Sequence, residues 1–246
     1  MTDRRILQIT GNDAATFLQG LVTNDVSGIK TGLVYAALLT PQGKYIADFF
    51  LRDGEDGTIL LDVADSHADQ LVTRLSMYKL RADVQISSTD LQLHRGLGPV
   101  PFDALPDPRN DALGWRAYRD HPQPADNTDW TALRVLHQIP ETGVELTPDT
   151  FILETGFERL SGVDFRKGCY VGQEVTARMK HKTDLRKGLA RVAVTGAADP
   201  GTDILADGKP AGKLLSRSGD RALAYLRFDR ATGDMQAGEA TVTRVA

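Results

Sequence analysis

LVYAALLTPQGKYIADFFLRDGEDGTILLDVA, residues 33–64, decides the fold. Three apolar runs, LVYAALLT (33–40), YIADFFLR (45–52) and TILLDVA (58–64), are separated by the turn signals PQGK and DGEDG, which predicts a three-stranded meander. Working downstream, Ser66 and Asp69 read as a capping-box start to a helix with Ala68, Leu71, Val72 and Leu75 on one face. ADVQIS (82–87) then returns as a strand. Upstream, GNDAATFLQGLV (11–22) has apolar residues at 14, 17, 18, 21 and 22, the spacing of an amphipathic helix, with Asn12 or Asp13 as N-cap. These elements together suggest a small antiparallel sheet with a helix on one side.

Farther out the pattern changes. Six of the eleven prolines fall between Gly98 and Thr128, so little of that stretch is expected to be regular. Leu113, Trp115 and Tyr118 give it apolar anchors, and an ordered excursion across a surface is expected. WTALRVLHQ (130–138) reads as a helix stopped by Pro140. Beyond residue 184, LARVAVTG, TDILADGKPAGKLLSRS and DRALAYLRFDR alternate between Gly and Pro turns, which points to a small β-barrel or sandwich.

The 246 residues (26.8 kDa) suffice for one large domain or two to three small ones. Ordinary globular composition, no apolar run of membrane-spanning length and no signal-like start lead to the expectation of a soluble, cytoplasmic protein. One cysteine cannot form an internal disulfide, in keeping with a reducing compartment. A formal net charge of −4 and a pI near 5.7 argue against a general nucleic-acid binder. The local stretch RMKHKTDLRKGLAR (178–191) is basic, and reads first as a solvated helix and strand face and second as an anion-binding surface.

RKGCYVGQE (166–174) holds the single cysteine, Cys169. Val171, Val175 and Met179 are spaced by four, so a helix is expected from near Gly172 to about His181, with the Cys169 turn just before it. Unpaired N–H groups there, with Lys167 and Arg166 nearby, favour thiolate over thiol, while a buried, inert cysteine is the competing reading. Gly168 and Gly172 permit close approach of backbone or ligand. The histidines, His67, His94, His121, His137 and His181, carry no companion motif for Cys-His catalysis. A single thiolate cannot hold an iron–sulfur cluster alone, though it can lend one ligand to a shared one. No HExxH, Walker A or GxGxxG pattern occurs, and no intrinsic metal is expected.

KGCYVGQEVTARMKHK (167–182) closely resembles the K-G-C-Y-x-G-Q-E signature of YgfZ-type folate-binding proteins, relatives of the aminomethyltransferase (T-protein) of the glycine cleavage system. ITGNDAATFLQGLVTNDV (9–26), LLTPQGKYIADFFL (38–51), YKLRADV (78–84), DPRNDALGWR (107–116) and GKPAGKLLS (208–216) extend the resemblance over nearly the whole chain. It implies an α+β, three-part T-protein-like cloverleaf around a central cleft. The parts would be a split folate-binding domain (1–32 and 93–183), a ferredoxin-like inserted unit (33–92) and a C-terminal β-barrel domain (184–246). The implied function is that of a tetrahydrofolate-binding accessory factor for assembly or maintenance of iron–sulfur clusters in a subset of enzymes, including tRNA-modifying ones. The implied partners are folate and iron–sulfur enzymes or cluster-assembly proteins, with no direct nucleic-acid or membrane binding.

Residue by residue, the resemblance makes Cys169 a reactive thiol with Lys167 beside it, and matches Tyr170, Gln173, Glu174 and Arg178 to the signature. Glu154 is kept in FILETGFE (151–158), where Glu158 stands for Asp and Ile152 for Pro. T-proteins carry two adjacent acids where this chain has Ala47-Asp48. That loss speaks against the alternative, a folate-dependent one-carbon transferase or demethylase of the aminomethyltransferase type. The family's helix ends Gly-Ile-Pro where this one ends Gln138-Ile139-Pro140, so a different backbone is expected at 138. In a folate site, Tyr170 or Phe157 would stack on the pterin, Glu154 or Asp48 would accept from its amine, and Arg178 or Lys180 would meet the glutamate tail.

Overall fold

The computed structural model describes residues 3–182 and 185–245. The chain divides into two compact units, Thr2–Asn127 with Phe157–Val175, and Thr128–Gly156 with Thr176–Ala246. The expected domain boundary between 183 and 184 lies outside the described residues.

The first unit begins with β1 (Arg4–Thr10), α1 (Ala14–Gln19), β2 (Val34–Leu39), β3 (Tyr45–Asp53), β4 (Ile59–Ala64), α2 (Asp65–Lys79) and β5 (Gln85–Ser88). The expected meander forms, and β1 enters from outside residues 33–92 to give an antiparallel sheet of order β2-β3-β4-β1-β5. α1 is shorter than its apolar spacing suggests. Asp13 makes no capping bond, because its carboxylate accepts from the Asp83 amide instead. The capping box at α2 also fails to form: Asp65 and Asp69 both pair with Arg5 of β1, and Ser66 turns to His67. In both cases a partner distant in sequence displaces the local one.

One sheet face carries Leu7, Ile9, Phe49, Leu51, Leu61 and Val63, closed by Leu18 of α1 and Ala68, Leu71 and Leu75 of α2. Burying each large aliphatic side chain contributes about 1.5–3 kcal/mol, so this layer anchors the unit. The other face is polar for a core: the register aligns Tyr35 with Phe50, Phe50 with Asp62, and Ala37 with Asp48. The proline-rich excursion supplies its partners. β6 (Gln92–Gly96), β7 (Leu105–Pro106) and β8 (Trp115–Arg119) form a small sheet of order β6-β8-β7, and Leu113 is buried as expected. β8 was illegible because its ladder partner lies across the proline stretch.

The second unit contains α3 (Trp130–His137), capped by Asp129, whose carboxylate accepts from the Ala132 amide at 2.9 Å. α4 (Gln173–Lys182) starts within one residue of the expected place and runs from one unit into the other. β9 (Lys187–Thr195), β10 (Asp203–Ala206), β11 (Lys209–Ser218), β12 (Arg221–Arg227), β13 (Asp234–Ala237) and β14 (Ala240–Arg244) close into a barrel of order β10-β11-β12-β9-β14-β13. A six-stranded barrel is narrow, and alanines at 190, 206, 211, 222, 224, 237 and 240 fill its core with Val192, Ile204, Leu226, Met235 and Val242.

Candidate functional site

The segment bearing the thiol is tied to the turn that follows α1. Thr23 Oγ1 donates to the Gly162 carbonyl at 2.7 Å, Asn24 Nδ2 to that of Ser161 at 2.7 Å, and the Asp164 amide to that of Thr23 at 3.0 Å. Lys167 completes the clamp. Its ammonium donates to the carbonyls of Gln19 (2.8 Å), Val22 (2.6 Å) and Asn24 (2.9 Å), which uses all three of its protons. Burial pulls it down to about 8, against Asp25 and Asp164, which pull the other way. The sequence placed Lys167 as a thiol activator; the structure gives its donors to backbone instead.

Two residues on, Cys169 is exposed and unbridged. The turn is held from the other side by glycine contact: Gly172 adopts φ 85°, and a Cβ there would lie 2.7 Å from the Thr40 carbonyl and 3.1 Å from Gly43 of the β2–β3 hairpin. Gly43 adopts φ 75°, and a Cβ there would lie 2.9 Å from the Val175 Cβ. The thiol is thus presented on a backbone fixed by a lysine clamp and a glycine contact. Tyr170 is buried with its ring centroid 5.4 Å from the Lys167 ammonium, Gln173 is partly buried, and Glu174 is exposed.

Asp48 lies in the same unit, buried on the polar sheet face. A bulge at Ile46 aligns it with Tyr45, since Leu38 pairs with Ala47 but Leu39 with Tyr45. In an unbroken strand these two residues would point to opposite faces. The Tyr45 hydroxyl donates to Asp48 at 2.7 Å and the Tyr35 hydroxyl at 3.0 Å. Burial and then Asp48 push the Tyr35 hydroxyl well up, keeping it a donor. Phe157 stacks on Tyr35 with centroids 5.0 Å apart, and Arg109 lies over the Tyr35 and Phe50 rings. Beside this, Asp62 accepts from Arg4 (2.6 Å), Arg116 (2.6 Å) and Tyr118 (3.1 Å), while Asp107 holds Arg109 at 2.8 Å.

Glu154 and Arg178 belong to the other unit. Glu154 is buried; it accepts from the Tyr225 hydroxyl at 2.5 Å, and Lys187 lies 3.8 Å from its second oxygen. Burial and then Glu154 push the Tyr225 hydroxyl up, so it remains the donor. A cavity of about 240 Å³ lies on the Tyr225 and Lys187 side of this cluster, lined also by Lys213, Val144, Leu215, Glu145 and Asp149. Arg178 and Lys180 are exposed on α4.

Sequence reasoning missed Tyr35, Tyr45, Arg109 and Tyr225. The first two flank the PQGK hairpin around Asp48, and a bulge in that hairpin is the signal that would have found Tyr45. Tyr225 is the one hydroxyl in the run RALAYLR (221–227). Among the described residues no group of three or more His, Cys, Asp or Glu could hold a metal ion, and no helix is long and apolar enough to cross a membrane.

Residues 186–245 match the CAF17 C-terminal β-barrel domain. Over nearly the full chain, the mitochondrial iron–sulfur cluster assembly factor IBA57 of Mus musculus is 32% identical over 278 residues, which cover 94% of this chain and 78% of that relative. The chain belongs to the IBA57 family of iron–sulfur cluster assembly factors. IBA57 of Homo sapiens is 29% identical with the same coverages. The IBA57 homologue of Mycosarcoma maydis is 30% identical, and this chain spans only 60% of its length. The crystal structure of the glycine cleavage system aminomethyltransferase T from Bartonella henselae superposes with a TM-score of 0.78 over 98% of this chain and 82% of that one, at 13% identity. This IBA57-family chain therefore has the T-protein fold.

Proposed function

We propose that the protein is a tetrahydrofolate-binding accessory factor for assembly or maintenance of iron–sulfur clusters in a subset of enzymes, tRNA-modifying ones among them. The observation that carries this reading is Cys169: the chain's only thiol is exposed on a backbone clamped by Lys167 and by the Gly43–Gly172 contact. One thiolate lends a single ligand, so a cluster is cargo shared with a partner that supplies the rest. Folate is supported by residue chemistry. Glu154 offers a buried acceptor for the pterin amine, Val144 and Leu215 an apolar wall, and Lys187 and Lys213 cations for the glutamate tail.

The enzymatic reading, a one-carbon transferase or demethylase, draws on Asp48, a buried carboxylate with two tyrosine hydroxyls on it. Its missing acidic neighbour at Ala47 places it second.

The test pairs tetrahydrofolate calorimetry with complementation of cells lacking the protein, using Cys169→Ser and Glu154→Ala. Cys169→Ser is expected to bind folate normally and fail to restore cluster-dependent enzymes, and Glu154→Ala is expected to lose folate. Full complementation by Cys169→Ser removes the thiol from the function. Steady-state formation of methylenetetrahydrofolate from an amine would move the assignment to the transferase.

A further inference from the structure

The outer wall of the barrel carries a groove that the proposed function does not use. Two adjoining cavities of about 400 and 380 Å³ share Arg191 and Val245 in their lining. The first adds Arg244 and Leu189; the second adds Arg221, Asp220 and, from α3, Val135 and Leu136. Leu136 and Val245 are exposed, at 36% and 43%. The lining thus holds three arginines against one aspartate on a chain whose net charge is −4. Arg191 is partly committed, donating to the Leu136 carbonyl at 2.9 Å. The side chains of Arg221 and Arg244 take part in no hydrogen bond or ion pair among the described residues, although Arg244 lies over the Phe228 ring at 4.6 Å.

We propose that this groove docks a segment of a partner protein in which carboxylates flank aliphatic side chains. Unpaired guanidiniums around an exposed aliphatic floor give charge complementarity to such a segment: aliphatic groups fill the floor and carboxylates take the arginine forks. A nucleic acid fits less well, because the groove presents no exposed aromatic ring for base stacking and the chain as a whole is acidic. The docking is independent of Cys169 and Glu154, so its failure leaves the proposed function untouched.

The probe is a fluorescein-labelled peptide with two leucines bracketed by acidic residues, compared with its amide analogue and with a serine-for-leucine version. Anisotropy titration is expected to show saturable binding by the acidic peptide. Both analogues, and the double variant Arg221→Glu, Arg244→Glu, should bind about tenfold more weakly or worse. Amide shifts on binding should cluster at residues 135–136, 191–193 and 244–245, and thermal unfolding should show the variant to be folded. Equal binding by the amide analogue, equal binding by the folded variant, absence of binding, or shifts elsewhere overturns the proposal. So does saturable binding of a labelled RNA oligonucleotide at these residues, or self-association that the double variant abolishes without peptide.

Discussion

Asp62 collects three donors, and two of them are guanidiniums. Desolvation alone would raise its carboxyl, but Arg4 and Arg116 win and hold it at about 2 against the ordinary 3.8. A folded-state value below the unfolded one contributes stability above pH 3.8 that fades as pH falls toward 2, on the order of 2 kcal/mol. Asp62→Asn should therefore cost about 3 kcal/mol at pH 7, where it leaves buried Arg116 with only the longer contact to Asp107 at 3.4 Å, and proportionately less at pH 3. Urea unfolding at the two pH values reads the difference, and an equal loss at both contradicts the ion-pair account. Lys167 gives the same sign of slope from the opposite cause, since here burial penalises the charged form. Its folded value near 8 lies below the ordinary 10.5, so folding is favoured further as pH rises between them. Lys167→Met should erase that alkaline rise and cost about 3 kcal/mol by leaving three carbonyls without a donor. An unchanged alkaline slope in the variant would place the titration elsewhere.

At the scale of elements, the hairpin between β2 and β3 and the start of α4 fix each other through two glycines. Gly172→Ala meets both a positive φ and the Thr40 carbonyl at 2.7 Å, so it should destabilise by about 2 kcal/mol and shift the labelling rate of Cys169. A wild-type melting temperature and labelling rate would show that the hairpin does not hold the turn. The end of α3 makes the opposite point. Gln138 takes φ 55°, ψ 48°, the left-handed cap that a glycine adopts without strain, so the backbone expected to differ is that of a glycine cap. Its side-chain amide donates to the Leu189 carbonyl at 2.6 Å, offsetting the strain. Gln138→Gly exchanges that bond for relief and should change stability by less than about 1 kcal/mol, whereas Gln138→Val loses on both counts and should cost about 2 kcal/mol. Thermal melts of the pair decide it.

For the molecule as a whole, charge sets the expected behaviour toward a polyanionic ligand. The chain is net acidic, so under the proposed function a polyglutamylated folate would depend on local cations, Lys187 and Lys213, which share the lining of the Tyr225 cavity with Glu145 and Asp149. Affinity should fall about threefold or more between low and high salt, and should fall as the tail is shortened. Calorimetry with mono- and polyglutamylated tetrahydrofolate at two ionic strengths checks this. Equal affinities throughout would take the tail away from these lysines.

The meander, α1 to α4 and the C-terminal barrel follow from the sequence, because hydrophobic period and Gly/Pro punctuation are local properties. The family was equally legible: the resemblance carried by KGCYVGQE led to the family that the 32% identity to the Mus musculus assembly factor shows. Tertiary structure alone decided which carboxylate meets which donor. Asp69 and Asp13 left their expected caps for Arg5 and the Asp83 amide, and the Lys167 ammonium gave its donors to three carbonyls. The Ile46 bulge put Tyr45 on the face of Asp48. Apolar burial is nondirectional and tolerates being read as a pattern, whereas a hydrogen bond needs two atoms about 3 Å apart, and that distance is set by strands far apart in the chain.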